Sequence, residues 1–119
     1  MKHIIISSLY LIILFSVSQF VFNPVYLYEE IKWLDIPMHL MGGFGVAALA
    51  GAILSYKTIK VSYIKLFIAY TVVAISWEIY EYCNDLIISR EWNGWVDTIS
   101  DYINGGIGMS ILYLFVRKK

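Results

Sequence analysis

Cysteine and charge are what this sequence has least of, and each shortage removes a class of protein. Among 119 residues there is a single cysteine, Cys83, which excludes an intrachain disulfide framework and a cysteine zinc site. Charged residues make up 15% of the chain against 60% hydrophobic ones. A water-soluble domain of this length needs more polar surface than that to cover its core. Nucleophile motifs are scarce as well: no serine sits in a G-x-S-x-G elbow. The glycine clusters lack the preceding strand and the following Lys-Ser/Thr of a phosphate loop. Histidine is scarce, with His3 at the terminus and His39 the one inside an apolar stretch. Nucleic acid is excluded as a partner.

What the chain has instead is four long stretches with little or no charge, at residues 4–22, 37–56, 61–83 and 98–116. A helix rising 1.5 Å per residue needs about 20 residues to cross a hydrocarbon core about 30 Å thick. The expected fold is therefore all-α, a single transmembrane domain over residues 1–119 built as a bundle of four membrane-spanning helices. The first stretch reads as a retained helix rather than a cleaved signal peptide, because its apolar run is long and Ser16-Val17-Ser18 is a poor cleavage site. Lys65 in the third stretch can snorkel to the interface, whereas Glu78 and Glu81 cannot do so easily.

Lysine and arginine set the orientation. With four spans, Lys2, Lys57, Lys60, Lys65, Arg117, Lys118 and Lys119 fall on one side, and Lys32 and Arg90 on the other. The basic side is expected to be cytoplasmic, with both termini there and the protein in the inner membrane. All nine acids (Glu29, Glu30, Asp35, Glu78, Glu81, Asp85, Glu91, Asp97 and Asp101) then fall in the outer half, although they were not used to set the orientation.

Between the first two spans, Asn23-Pro24 reads as a helix start. Leu27, Ile31 and Leu34 then recur at helical spacing among Glu29, Glu30 and Lys32. That pattern predicts a short amphipathic helix over residues 24–34 lying along the outer interface. Trp33, Trp77, Trp92 and Trp95 also belong to the outer half, as an anchoring belt would. Gly43, Ala47 and Gly51 in the second span, and Gly105, Gly106 and Gly108 in the fourth, are packing signals, since small residues let helix backbones approach closely in lipid. They also leave room for a homo-oligomer.

The residues that can carry chemistry come in three pieces. Asp35 and His39 stand four apart around Pro37. Glu78, Glu81 and Asp85 are spaced three and four apart, as are Asp97, Asp101 and Asn104, so each set shares one helix face. The second and fourth helices enter from outside and the third arrives there, so the stripes end on one side, with Glu78 about 10 Å below Asp85 by helical rise. Ionisable groups at such depth are costly unless paired or metal-bound. Lys32 and Arg90 are the only nearby cations. Facing carboxylates repel one another, and a divalent cation removes that cost. A carboxylate-rich set with one imidazole suits Zn²⁺, Mn²⁺, Fe²⁺ or Mg²⁺. The candidate ligands are His39, Glu78, Glu81, Asp97 and Asp101, with Glu78 and Glu81 as the catalytic candidates.

Plainer roles compete at several positions. Asp97, or Thr98 with Asp101, can cap the fourth helix, since T-x-x-D resembles a capping box, and Asp35 can be a helix-start charge favoured by the dipole. Asp85 and Glu91 read as solvated charges, and Cys83 as a small interfacial hydrophobe. Glu78, next to Trp77 and well inside its span, has no capping or solvation role to fall back on.

Taken together, Asp35-Ile-Pro-Met-His39-Leu-Met-Gly42-Gly43, Glu78-Ile-Tyr-Glu81 and Trp95-Val-Asp97-Thr98-Ile-Ser-Asp101 followed by Gly105-Gly106 resemble the YjdF-like family of bacterial inner-membrane proteins. The family pattern has an aspartate and histidine before glycine, a paired-glutamate helix, and a W-D-T-x-x-D segment entering the last helix. The resemblance covers residues 35–108 and departs from the pattern by Val96, inserted between tryptophan and aspartate, and by a shorter N-terminal part. It is similar at greater distance to VanZ-like proteins, which are associated with glycopeptide resistance and the cell envelope. The resemblance implies that the acidic cluster matters, and it implies no reaction.

Three functions are open to such a chain. The first is a divalent-metal site at the outer face acting on membrane lipids, at a headgroup or a lipid-linked envelope precursor, by metal-assisted hydrolysis or transfer with one carboxylate as general base. The second is a cation or proton transporter or channel subunit. Against it stands the inner half of the spans, where Ile53, Leu54, Leu66, Phe67, Ile111 and Leu114 offer no polar path. The third is a structural membrane protein in which the cluster serves stability or a basic partner.

Overall fold

The computed structural model describes residues 1–87 and 94–117. Arg90, Glu91, Trp92, Lys118 and Lys119 therefore lie outside the described residues, and their expected places on the two sides are not addressed. Each apolar stretch forms a long helix: α1 (Lys2–Val17), α3 (Asp35–Tyr56), α4 (Tyr63–Ile87) and α5 (Trp95–Val116). A single turn, α2 (Leu27–Glu30), lies between α1 and α3. The helical path of α1 continues through a wide turn at Ser18–Phe22 and a tight one at Asn23–Val25. Among the described residues, four helical segments are long and apolar enough to cross a membrane: Lys2–Val25, Lys32–Tyr56, Tyr63–Ile87 and Trp95–Val116. The molecule measures 45 × 26 × 23 Å, and its long axis matches a bilayer of about 40–45 Å including headgroups.

The outside of the bundle is apolar. Ile64, Ile68, Val72, Ile75 and Ile79 form one exposed stripe along α4, at the i, i+4 and i, i+3 steps that keep side chains on one helix face. Large apolar residues exposed in that pattern need hydrocarbon around them. The inside is small. Gly43, Gly45, Ala47 and Gly51 of α3 are all buried, as are Gly105, Gly108 and Met109 of α5. A Cβ on Gly43 would overlap the carbonyl of Gly105, and one on Gly108 would overlap the carbonyl of Leu40. These two helices touch backbone to backbone, as small residues permit when packing drives association. Gly45 does the same for α1, where a Cβ would lie 2.6 Å from the Tyr10 ring.

Residues 24–34, expected as one amphipathic helix, instead form short pieces. Pro24 has no N–H to donate, and just before it the helix widens so that the Asn23 N–H reaches the Ser18 carbonyl. Tyr26 then takes a left-handed conformation, φ 54°, which turns the chain back. A second break at Ile31, φ −120°, separates α2 from the tight turn at Lys32–Leu34 that leads into α3. The last helix begins at Trp95, three residues ahead of the expected start, because Gly94 with φ 88° supplies its entry. Lys65 does reach back to the loop, its ammonium donating to the Lys60 carbonyl at 2.9 Å.

Four successive antiparallel spans give the bundle two unlike ends. Lys2, Lys57, Lys60, Lys65 and Arg117 mark the basic end. The acids among the described residues, and His39, belong to the other.

Candidate metal centre

The glycine crossing positions the first part of the site. His39 lies one turn before Gly43 on α3, and Asp101 one turn before Gly105 on α5. Where the two glycines bring the backbones together, the side chains one turn away must meet. His39 Nε2 lies 3.2 Å from Asp35 Oδ1 and 3.5 Å from Asp101 Oδ2. Pro37 between Asp35 and His39 costs nothing here, because the first turn of a helix has N–H groups without partners. Asp35 and Asp101 are also within hydrogen-bonding reach of each other. Two carboxylates so placed need a proton or a cation between them.

Helix α4 brings the second part. It is held to α5 by the Tyr70 hydroxyl donating to the Tyr102 carbonyl at 2.5 Å, and by Thr71 and Tyr102 hydroxyls 2.8 Å apart. Two turns further on, Glu78 and Glu81 face Asp101. The Trp77 indole is within hydrogen-bonding reach of Glu81.

Two groups of potential ligands result, Asp35–His39–Asp101 and Glu78–Glu81–Asp101, each with one ligand atom per residue within 4.8 Å of the others. Asp101 belongs to both and is 5% exposed. Ligands at about 2.1 Å from one ion lie at most about 4.2 Å apart, and the two distances from His39 Nε2, 3.2 and 3.5 Å, already fall inside that limit. The donors are oxygen-rich with one imidazole, a set that fits Mn²⁺, Zn²⁺, Fe²⁺ or Mg²⁺.

Both groups open into a cavity of about 770 Å³ lined by α1, α3, α4 and α5. Asp97 lines it and stands beside Asp101, but belongs to neither ligand group. It is a first-turn residue of α5 and makes no cap hydrogen bond; Gly94 is the N-cap. Of the five candidate ligands, the fold therefore gathers His39, Glu78, Glu81 and Asp101 into the groups and leaves Asp97 on the wall. Asp85 lines the same cavity from the last turns of α4, rather than standing free in a loop.

Three residues of the site lay outside the ligand set expected from the sequence. Asp35 was paired with His39 by its spacing but, with a helix-start role competing, was not among the expected ligands. Ser18 and Tyr28 were not seen at all. Their hydroxyls lie 2.7 Å apart at the cavity wall, and only the π turn before Pro24 aims Ser18 inward. Burial raises the pKa of the Tyr28 hydroxyl, with Asp35 and Glu81 adding to the effect and the Ser18 hydrogen bond opposing it.

Trp77 also departs from the belt expected of it. It packs against Phe15 and Tyr80 at ring separations of 5.9 and 5.4 Å, while Trp33 and Trp95 are exposed at 67% and 72% as interfacial anchors would be.

Residues 3–118 match the family of predicted membrane proteins designated DUF2238, and the chain belongs to that family. No curated protein and no solved structure matches it.

Proposed function

We propose that this member of the DUF2238 family binds a divalent cation between α3, α4 and α5 and uses it on the headgroup of a membrane lipid or a lipid-linked precursor. The observation that carries the reading is a pair of ligand groups sharing the buried Asp101, in a cavity that is also lined by apolar residues such as Leu11, Leu14, Val46 and Val73. His39 and Asp35 would hold the cation from α3, and one of Glu78 and Glu81 from α4. A bound divalent cation would polarise an ester or phosphoryl oxygen and acidify a bound water. The glutamate not engaged as a ligand would take the proton of that water. The YjdF-like pattern in the sequence points to the same residues. By the distribution of lysine and arginine, the acidic end faces outward from the inner membrane with both termini cytoplasmic.

The test is elemental analysis of purified wild type and Glu78→Gln, together with release of water-soluble headgroup from lipid vesicles. The expected result is stoichiometric metal in the wild type, reduced in Glu78→Gln, and headgroup release that a chelator stops. Metal-free wild type, with Glu78→Gln no different in metal or stability, would defeat the reading.

A second reading, transfer of a cation or proton, has one observation in its favour. Hydroxyls line the α4–α5 contact toward the basic end, where Tyr63 lies 3.2 Å from Ser110. Tyr70, however, donates to the Tyr102 carbonyl and so ties α4 to α5, while Ser110 donates to the Gly106 carbonyl one turn back in its own helix. Flux across liposomes, compared for wild type and Glu81→Gln, separates the two readings.

A further inference from the structure

Beyond the ligand groups the cavity changes character. Its wall becomes Leu11 and Leu14 of α1, Met38 and Val46 of α3, and Val73 and Ala74 of α4. A site for an ion and a small polar molecule has no need of such a gutter. What encloses it is also uneven. Helix α1 leans on α3, through Gly45 against Tyr10 and Leu11 and through the Tyr10 hydroxyl donating to the Met41 carbonyl at 3.1 Å. Helix α4 leans on α3 and α5. The backbones of α1 and α4 do not pack on each other as those pairs do.

Side chains bridge the space between them. Phe15 stands edge-on to Trp77 at 5.9 Å and tilted against Tyr80 at 6.5 Å, and the Tyr80 hydroxyl donates to Gln19 Oε1 at 3.3 Å. Phe15 and Tyr80 are themselves about 40% exposed. On either flank the helices present apolar side chains outward, Ile12 on α1 and Val72 and Ile75 on α4. The gap therefore faces hydrocarbon.

Size and charge narrow the occupant. The cavity of about 770 Å³ is that of a site for a drug-sized molecule, within the roughly 300–1,000 Å³ range of such sites, and smaller than a whole two-chain lipid. A lipid reaching the acids must leave its tails outside, between α1 and α4. At the mouth, Asp85 and Asp97 stand outside both ligand groups. Lys32 is the one lysine or arginine among the described residues lining the cavity. Acid in excess with one lysine complements a head that carries an ammonium as well as a phosphate.

We infer that the gap between α1 and α4 is a lateral port through which one amine-headed phospholipid enters from the bilayer, its head at the Asp101 site and its chains between the two helices, with Phe15 as the gate. The inference rests on the lipid reading above and adds the route and the lipid class. Phe15 suits the role because its partners are ring edges and faces, which part at little cost compared with the glycine contact on the far side of α3. A second, wholly apolar groove lies between α1 and α3, lined by Ile13, Val17 and Met41 among others. It has no polar end, so it serves as the internal control.

The experiment uses the full chain in nanodiscs of phosphatidylethanolamine and phosphatidylglycerol, each doped in turn with a small amount of the same lipid bearing a diazirine in one acyl chain. After illumination, labelled residues are mapped by mass spectrometry and metal is measured in the same sample. The port requires labelling at Leu14, Val73 and Ala74 several-fold above that in the α1–α3 groove, and stronger with the ethanolamine lipid. Phe15→Ala increases it. Ala74→Trp, which fills the gutter, reduces it at least tenfold while metal content stays as in the wild type. Labelling confined to the outward stripe or equal in the two grooves overturns the port, and so does equal labelling by the two lipids. The wild-type map decides even where Ala74→Trp does not fold. A protein that labels in the gutter but holds no metal refutes the metal reading and leaves the port standing; the reverse pattern refutes the port alone.

Discussion

Helices α3 and α5 meet backbone to backbone, whereas α1 and α4 face each other across a cavity, and the same site lies between these two very different contacts. On the closed side, glycine leaves no freedom: Gly43 and Gly105 touch, and His39 and Asp101 one turn away are held 3.5 Å apart. On the open side, three aromatic rings and one amide span the gap. One wall of the cavity is thus fixed by backbone contact, and the opposite one rests on side chains alone. In water such an opening would be closed by the hydrophobic effect. In lipid that drive is absent, because hydrocarbon tails cover apolar walls as well as a neighbouring helix does.

The largest expected effect comes from breaking the closed side. Gly43→Val places a branched side chain into the Gly105 carbonyl. It should destabilise the bundle by about 3 kcal/mol or more and separate His39 from Asp101, seen as a lower melting temperature and lost metal. A gutter substitution such as Leu14→Ala should leave the metal in place.

Next comes the shared ligand. Losing a mere outer-shell partner weakens metal binding by about 10–100-fold, so Asp101→Asn, which strikes both ligand groups, should weaken it by more than about 100-fold. Asp97→Asn, outside both groups, should cost less than about tenfold; calorimetric titration with Mn²⁺ distinguishes them. The same titration should show affinity falling as pH drops, since protons compete with metal for carboxylate and imidazole.

Smaller still is the effect of the open side on stability. Phe15→Ala removes three aromatic contacts, to Phe20, Trp77 and Tyr80, and should cost about 1–2 kcal/mol while making the gutter easier to reach. Smallest is Ile68→Ala on the outward stripe, expected to stay within about 0.5 kcal/mol. A large loss there would mean that the stripe packs against another protein chain rather than lipid.

The spans were legible in the sequence because long uncharged runs need no tertiary information to be recognised. The inward placement of Gly43, Ala47 and Gly51 was legible too, from spacing alone. What spacing could not supply was partnership: nothing in the run around Gly43 says that its neighbour is Gly105 rather than a residue of α4. Residues 24–34 failed as a single helix because their apolar spacing was right while Pro24 and the left-handed Tyr26 broke the backbone within it. At the site, spacings of three and four brought out Glu78 with Glu81, Asp97 with Asp101, and Asp35 with His39. They did not bring out that Asp35 and His39 meet Asp101, which depends on α5 crossing α3 one turn away. The gap between α1 and α4 was the least legible feature. Helix α1 is apolar on all sides, so its sequence marks no face as the one left without a packed neighbour.

The central claim is that a cation sits on Asp101, and anomalous scattering from crystals soaked in Mn²⁺ tests it most directly. The account expects a peak bound by Asp101 together with His39 and Asp35, or with Glu78 and Glu81, that disappears in Asp101→Asn. A peak confined to the mouth near Asp85, or no peak at all, would contradict it.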